Sequence, residues 1–329
     1  MDNKKTIDEN RPNILFILTD DQGPWAMSSS GNTEIITPNL DKLAAEGMRF
    51  ENFFCTSPVC SPARASILTG TMPSVHGVHD WIREGNVGNK SLDFMEHTTA
   101  FTELLKNEGY TCGLSGKWHL GNSALSQKGF DHWYAHQLGG GPYYGAPMVR
   151  NGELITEEGY VTDTITDDAI AFLKNHQDKN AESPFYLSVH YTAPHSPWLN
   201  NHPQEYLDMY KDCPFESCPQ EDDHPWVGPH DLIQSVKPDV RGCLEGYFAA
   251  VTAMDHNVGR ILDTLDALGN RENTLVFFTS DNGFNCGHHG IWGKGNGTFP
   301  LNMYENSVKV PFIVSYPGKI PGGTVRKEL

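Results

Sequence analysis

Short apolar runs bounded by polar turns recur along the chain: Asn13 to Thr19 (N-I-L-F-I-L-T), Tyr110 to Ser115, Phe185 to Tyr191, Thr274 to Thr279 and Pro311 to Ser315. Each is too short for a core helix, and successive rather than alternate positions are apolar. The runs therefore predict parallel strands buried on both faces. Between them the apolar spacing lengthens to that of a helix. Thr37-Pro38 reads as an N-cap followed by proline at the first helical position, with Leu40, Leu43 and Ala44 continuing one face to a stop near Gly47. Phe101, Leu104 and Leu105 repeat the pattern before Gly109. A longer helix carries Leu244, Tyr247, Phe248, Val251, Val258, Ile261, Leu262, Leu265 and Leu268, and is expected to end at Gly269.

Strands alternating with helices imply an α/β fold, a mostly parallel central sheet sandwiched by helices. The chain divides into a flexible tail over residues 1–11 and one α/β domain over residues 12–329, long enough to bury a substantial core. Ligands in such folds gather at the carboxyl ends of the strands, so the residues just beyond each run become site candidates. The stretch from about His195 to Val240 is rich in Pro, His, Asp and Cys without clear periodicity, and predicts a long surface excursion near that site.

Composition narrows the partners. Hydrophobic residues at 38% and charged residues at 20% exclude a disordered or fibrous chain. The formal net charge of -17 argues against nucleic-acid binding, which needs a basic face. An anionic substrate would then require a local cluster of cations that overrides the global field. Seven cysteines, an odd number in a chain this long, make no disulfide framework and read as mostly reduced and structural. The opening M-D-N-K-K-T-I-D-E-N-R lacks the apolar stretch of a signal peptide, and no later stretch is long enough to cross a bilayer. The expectation is a protein without a membrane partner, cytoplasmic as written, or periplasmic or secreted if a signal has been removed.

The polar residues beyond the runs carry the chemistry. Asp20 and Asp21 follow the first run in L-T-D-D-Q-G, and Asp281 and Asn282 follow Thr274 to Thr279 in T-S-D-N-G. Adjacent carboxylates repel, and burying them is costly unless a cation lies between them. Either pair alone reads as a turn with capping side chains. Two pairs at two strand ends supply three carboxylates and an amide oxygen, a hard set suited to Ca2+ or Mg2+ rather than zinc. Lys117 and His119 follow Tyr110 to Ser115 in S-G-K-W-H-L-G, and His195 follows Phe185 to Tyr191 in Y-T-A-P-H-S-P-W. Lys294 lies in the glycine-rich W-G-K-G-N-G, where backbone can approach a ligand closely.

The segment F-C-T-S-P-V-C-S-P-A-R-A-S-I-L-T-G, Phe54 to Gly70, places Cys60 ahead of an apolar helical pattern. A helix N-terminus favours an anion or an ionised nucleophile there. A buried thiol beside a surface arginine fits the same residues. C-S-P-A-R followed by L-T-G, with D-D, G-K-W-H, A-P-H, S-D-N-G and W-G-K-G in this order, resembles the sulfatase family of the alkaline-phosphatase-like superfamily. The likeness runs from R-P-N-I-L-F-I-L-T-D-D to V-P-F-I-V-S-Y-P-G.

That resemblance implies a sulfuric ester hydrolase releasing inorganic sulfate from an aryl or carbohydrate sulfate. It implies a formylglycine-generating maturation enzyme that oxidises Cys60 to formylglycine, whose hydrate supplies the attacking oxygen and then expels sulfate, a step closed to a thiol or serine. Asp20, Asp21, Asp281, Asn282 and modified Cys60 would hold a divalent metal, Ca2+ with Mg2+ as the alternative. Arg64 and Lys117 would orient the diol and neutralise sulfate oxygens, His119 would assist sulfate release, and His195 with Lys294 would protonate or stabilise the departing oxygen. Trp81, His136, Tyr143, Tyr144, Trp198 and Trp226 are candidates for a sugar or aryl subsite, against the alternative that they belong to the core. Two other functions stay open. One is a phosphonate or phosphodiester hydrolase of the same superfamily, against which Asn282 speaks, because many phosphate-cleaving relatives carry His there. The other is a non-catalytic protein that binds a sulfated ligand. Family members commonly continue into a smaller C-terminal subdomain that helps shape the substrate pocket, so a chain ending at Leu329 is expected to be truncated and to lack it.

Overall fold

The first apolar run becomes the middle of the sheet. In the computed structural model, which describes residues 11–83, 92–229 and 231–328, β1 (Asn13–Thr19) pairs in parallel with β7 (Phe185–His190) on one side and β8 (Thr274–Ser280) on the other. Beyond β7, β3 (Thr111–Lys117) and β4 (His132–His136) continue the parallel run. One margin is the antiparallel hairpin of β5 (Ala146–Arg150) and β6 (Glu153–Glu157). At the other, β11 (Phe312–Ser315) lies antiparallel to both β8 and β2 (Met48–Phe50), with β12 (Thr324–Arg326) outermost. The order is β12-β2-β11-β8-β1-β7-β3-β4-β5-β6. β9 (Asn285–Cys286) and β10 (Trp292–Gly293) form a separate antiparallel pair. The run from Pro311 to Ser315 is thus a strand but not a parallel one, a correction to the sequence reading. Burial on both faces gives parallel and antiparallel interior strands the same unbroken apolar signature.

The helices are α1 (Pro38–Ala45), α2 (Cys60–Thr69), α3 (Pro73–His76), α4 (Phe101–Asn107), α5 (Val161–Lys179), α6 (Gln204–Asp208), α7 (Leu232–Val236), α8 (Val240–Ala267) and α9 (Glu305–Val308). On one face of the sheet, Leu40 and Leu43 of α1, Ile165 and Ala169 of α5, and Val251 and Val258 of α8 pack with Leu15, Ile17 and Leu187. On the other, Ala65 and Leu68 of α2 and the partly buried Phe101 and Leu105 of α4 meet Cys112, Leu114 and Tyr186. Each such leucine or isoleucine contributes about 1.5–3 kcal/mol by leaving water, which fixes both layers on the sheet.

Helix ends follow the sequence signals with one exception. α8 closes at Gly269, whose φ of 68° suits a glycine C-cap. Thr37 occupies the N-cap position of α1, but its side chain makes no cap bond. Asp255 of α8 caps α1 instead, accepting from Asn39 N at 3.1 Å and Leu40 N at 2.8 Å. Among the described residues no helix is long and apolar enough to cross a membrane. Of the tail expected over residues 1–11, only Arg11 lies within the described residues; it sits over the Tyr110 ring, 5.6 Å from its centroid.

Candidate active site

β1, β3, β7 and β8 point the same way, so their carboxyl ends open on one edge of the sheet. Asp20 and Asp21 leave β1, Asp281 and Asn282 leave β8, and His195 lies in the loop after β7. Lys117 departs from expectation: it is the last residue of β3, in register with His136 of β4, rather than part of the following loop. The strand ends are tied together by Asp20 N donating to Ala193 O and Asp281 N donating to Thr19 O, both at 3.1 Å. Asp21 turns with a φ of 65°, unfavourable for a residue with a Cβ. Tyr247 of α8 holds that turn, its hydroxyl donating to Asp21 O at 2.8 Å and accepting from Gly23 N at 3.0 Å.

Cys60 is the first residue of α2, with Val59 as N-cap, and Arg64 follows one turn later on the same face. Cys60 Sγ donates to Asp20 Oδ1 at 3.2 Å. Arg64 is only 2% exposed, which removes the surface-arginine reading of this segment. Its Nε donates to Asp281 Oδ2 at 2.9 Å, its Nη1 to Lys117 O at 3.1 Å, and its Nη2, 4.0 Å from Asp20 Oδ2, has no hydrogen-bond partner among the described residues. One helix therefore delivers both a sulfur and a guanidinium to the ends of three strands.

Asp20, Asp21, Cys60 and Asp281 each offer an atom within 4.8 Å of the others. Asn282 Nδ2 donates to Asp21 Oδ1 at 2.7 Å, while its Oδ1 is buried without a partner among the described residues. Three buried carboxylates and an orphaned amide oxygen fit a hard divalent cation such as Ca2+ or Mg2+. Two lysines complete the cluster. Lys117 Nζ pairs with Asp20 Oδ2, and Lys294 Nζ pairs with Asp21 Oδ1 and reaches Cys60 Sγ at 2.6 Å.

Burial sets the electrostatics, and the neighbouring charges decide its outcome. Desolvation would raise Asp20, but Lys117, His195, Lys294 and Arg64 together hold it well below the usual carboxylate range. Asp281 is pushed up to about 6 by burial and then by the Asp20 charge, despite Arg64. Lys294 is desolvated yet kept well above its ordinary value, first by Asp21. Burial and Asp20 push the Cys60 thiol up, so the unmodified side chain stays protonated and is a weak nucleophile. Burial drives His119 well below its ordinary value, reinforced by Lys117. It also lowers His195, against the pull of Asp20 and Asp21. Both imidazoles are accordingly neutral near pH 7.

Apart from Tyr143, the groups that hold the two histidines lie outside the candidates named from the sequence. His119 Nε2 lies 2.9 Å from Ile82 O, which assigns the proton to Nε2 and leaves Nδ1 as a buried acceptor without a partner among the described residues. His195 Nδ1 donates to Ser196 O at 2.7 Å, and Nε2 faces Asp21 Oδ2 at 3.7 Å. Tyr143 OH donates to His195 O at 2.8 Å. Gly139 and Gly140 press on the rings: a Cβ at Gly139 would lie 2.3 Å from His119 Nε2, and one at Gly140 would lie 2.6 Å from His195 Cε1. The G-G-G triplet before Pro142 was the available signal, since consecutive glycines mark close backbone approach.

A pocket of ≈ 500 Å³ opens over this cluster, lined by Asp21, Cys60, His119, His195 and Lys294 at its polar end. Ser196, Pro197, Asp231 and Leu232 bring the predicted excursion into its wall. Of the six aromatic and histidine candidates, Trp81 lines the pocket. His136, Tyr143 and Trp198 are instead buried, and Tyr144 packs on Tyr160 with centroids 5.5 Å apart. Trp226 is 48% exposed but outside the lining.

The family model described as Sulfatase matches residues 12–329. An N-acetylglucosamine-6-O-sulfatase of Bacteroides thetaiotaomicron is 31% identical, over 99% of this chain and 67% of its own length. An ulvan-active sulfatase of Formosa agariphila is 34% identical, over 100% of this chain and 62% of its own. Among solved structures, a protein in complex with its substrate D-glucosamine-2-N,6-O-disulfate aligns with a TM-score of 0.79 at 29% identity, covering 96% of this chain and 73% of that one. The chain thus spans about two thirds of the length of these curated relatives.

Proposed function

Because the chain belongs to the sulfatase family, we propose that it hydrolyses a sulfate monoester of an aryl or carbohydrate alcohol, with Cys60, matured to formylglycine by a dedicated enzyme, as nucleophile. The observation that carries this is the meeting of Cys60, at the start of α2, with Asp20, Asp21 and Asp281 in one buried cluster. Asp20, Asp21, Asp281, Asn282 and modified Cys60 would hold Ca2+ or Mg2+, which when bound supplies Lewis-acid polarisation of an oxygen.

The chain's own groups supply the rest. Arg64 and Lys117, buried at one end of the cluster, are cations that stabilise charge on sulfate oxygens more strongly as it grows. They also supply the local positive field that a chain of net charge -17 needs to admit an anion. Neutral His119, with Nδ1 free, can accept a proton. Lys294, held cationic beside Asp21, is the donor available near pH 7 to the departing oxygen, and His195 completes that side; such steps contribute roughly 10²–10⁴-fold.

Parallel rate measurements on an aryl sulfate and an aryl phosphate diester test this reading. The expected result is a higher kcat/KM on the sulfate, and a strong preference for the diester would establish the phosphodiesterase alternative instead. Sensitivity to the glycine loop gives a second check. Gly140→Ala places a Cβ against His195 and should lower kcat/KM by about 100-fold, the penalty for a shift of roughly 1 Å in a reacting group, with the circular dichroism spectrum unchanged. Wild-type kinetics in that variant would show that His195 is not held by the loop.

A further inference from the structure

Lys294 carries its charge on a flexible four-carbon stem and sits in a run of glycines, so its own sequence neighbours cannot fix Nζ beside Asp21 and Cys60. Three buried side chains that no step above uses, and that do not line the pocket, hold its backbone instead. Asn302 Nδ2 donates to Lys294 O at 2.9 Å and to Gly295 O at 3.2 Å. Asn285 Nδ2 of β9 donates to Gly293 O at 2.9 Å. Ser307 of α9 joins the two amides, its Oγ donating to Asn302 Oδ1 at 2.7 Å and accepting from Asn285 Nδ2 at 2.8 Å. The carbonyl oxygens of Gly293, Lys294 and Gly295 thus all end on one relay. Ser307 O also accepts from Gly283 N, next to Asn282, at 2.9 Å. The lysine loop and the carboxylate cluster therefore share one support.

The direction of each bond is forced. Backbone carbonyls only accept, so both amides must turn Nδ2 to the loop. Asn302 Oδ1 then needs a donor, and the Ser307 hydroxyl, already accepting from Asn285, has its proton left for it. A buried relay with one allowed arrangement specifies the backbone more tightly than its separate bonds would. We propose that Asn302, with Ser307 and Asn285 behind it, is the positioning residue for Lys294 and sets the reach of Nζ to the departing oxygen of the substrate. Its part in turnover rests on the sulfate-ester reading above, whereas its hold on Lys294 does not. Without the Asn302 side chain the loop keeps Gly297 N donating to Lys294 O at 2.8 Å and Gly295 N donating to Pro58 O at 3.0 Å. The loop then loosens without detaching.

Amine labelling reads the hold directly. Under brief acetylation by an N-hydroxysuccinimide ester, followed by mass spectrometry, Lys294 should react about 5- to 30-fold faster in Asn302→Ala than in the wild type, relative to the exposed Lys42. That is the gain in open population from one or two lost hydrogen bonds. Buried Lys117 should not change. Ser307→Ala removes one atom and the bond that orients the Asn302 amide, and should give a smaller rise of the same kind. An unchanged Lys294 rate in both variants, or an equal rise at Lys117, overturns the proposal. Kinetics reads the consequence. Phenolate is about as basic as ionised tyrosine, with a pKa of roughly 10, and needs a proton on leaving more than the less basic 4-nitrophenolate does. Asn302→Ala should therefore lose at least about tenfold more kcat/KM on phenyl sulfate than on 4-nitrophenyl sulfate, part of the roughly 10²–10⁴-fold that a placed proton donor contributes. In a Lys294→Ala background the same substitution should add no such bias. Equal losses on both esters, or a bias that persists without Lys294, overturn the role in turnover. A wild type that hydrolyses neither ester while the labelling difference stands keeps the relay and removes the aryl-sulfate reading.

Discussion

Cys60→Ala should be folded and inactive, with kcat/KM on the best sulfate ester reduced by at least about 10⁴-fold. The substitution removes a single buried atom, Sγ, so the packing loss is small beside the chemical one. The former partners of the thiol keep others: Asp20 retains Lys117, and Lys294 retains Asp21. Thermal denaturation should accordingly shift by only a few degrees, roughly what about 1 kcal/mol does in a domain of this size. Steady-state assay of purified protein, with mass spectrometry of the wild-type Cys60 peptide, separates the possibilities. Conversion to formylglycine lowers the mass of that peptide relative to cysteine. Substantial turnover by Cys60→Ala, or active wild type wholly lacking the lighter peptide, would remove the nucleophile assignment. A wild type that carries the lighter peptide, binds sulfated sugars and turns over nothing would instead be the non-catalytic binder.

The cluster around Cys60 was legible in the sequence because of one topological fact. In a parallel sheet, polar residues that follow separate apolar runs must converge on one edge, whatever their distance along the chain. Asp20, Asp281 and His195 could be placed that way, and the apolar turn after Cys60 placed it at a helix start. Lys117 is the exception. Gly116-Lys117 looks like loop chemistry, but the strand continues because Lys117 pairs with His136 and its charge is met by Asp20. α5 was missed because Thr and Asp fill its first turns and weaken the helical signal, although Val161, Ile165, Ala169 and Phe172 keep the period. The β5–β6 hairpin was missed despite its Asn151-Gly152 turn, both residues at positive φ. What no local pattern could supply were contacts between distant segments: Tyr247 on the Asp21 turn and Asp255 on the start of α1. Two of the aromatic candidates fall away for the same reason. Tyr143 and Trp198 are buried and bonded to the backbone of the His195 loop, and composition alone cannot tell such a residue from one exposed to a ligand.

In Asp281→Ala, Ca2+ affinity measured by titration calorimetry should fall by at least about 100-fold, since a directly ligating carboxylate outweighs the 10–100-fold typical of the groups behind it. Stability translates the same change. At a free Ca2+ concentration about 100 times the wild-type Kd, the wild type gains about 2.7 kcal/mol, and a variant binding 100-fold more weakly gains about 0.4 kcal/mol. Without metal the sign reverses. Burial and the Asp20 charge push Asp281 up to about 6, outweighing its bond to Arg64, so its ionised form near pH 7 works against the folded state. Asp281→Asn keeps an acceptor for the N–H groups of Asp21 and Asn282 while removing the charge. In chelator that variant should be no less stable than the wild type, and in Ca2+ it should be less stable. Unchanged Ca2+ affinity in Asp281→Ala would refute the ligand assignment. A large loss of stability in chelator, with the Ca2+ response intact, would make Asp281 the anchor of Arg64 and nothing more.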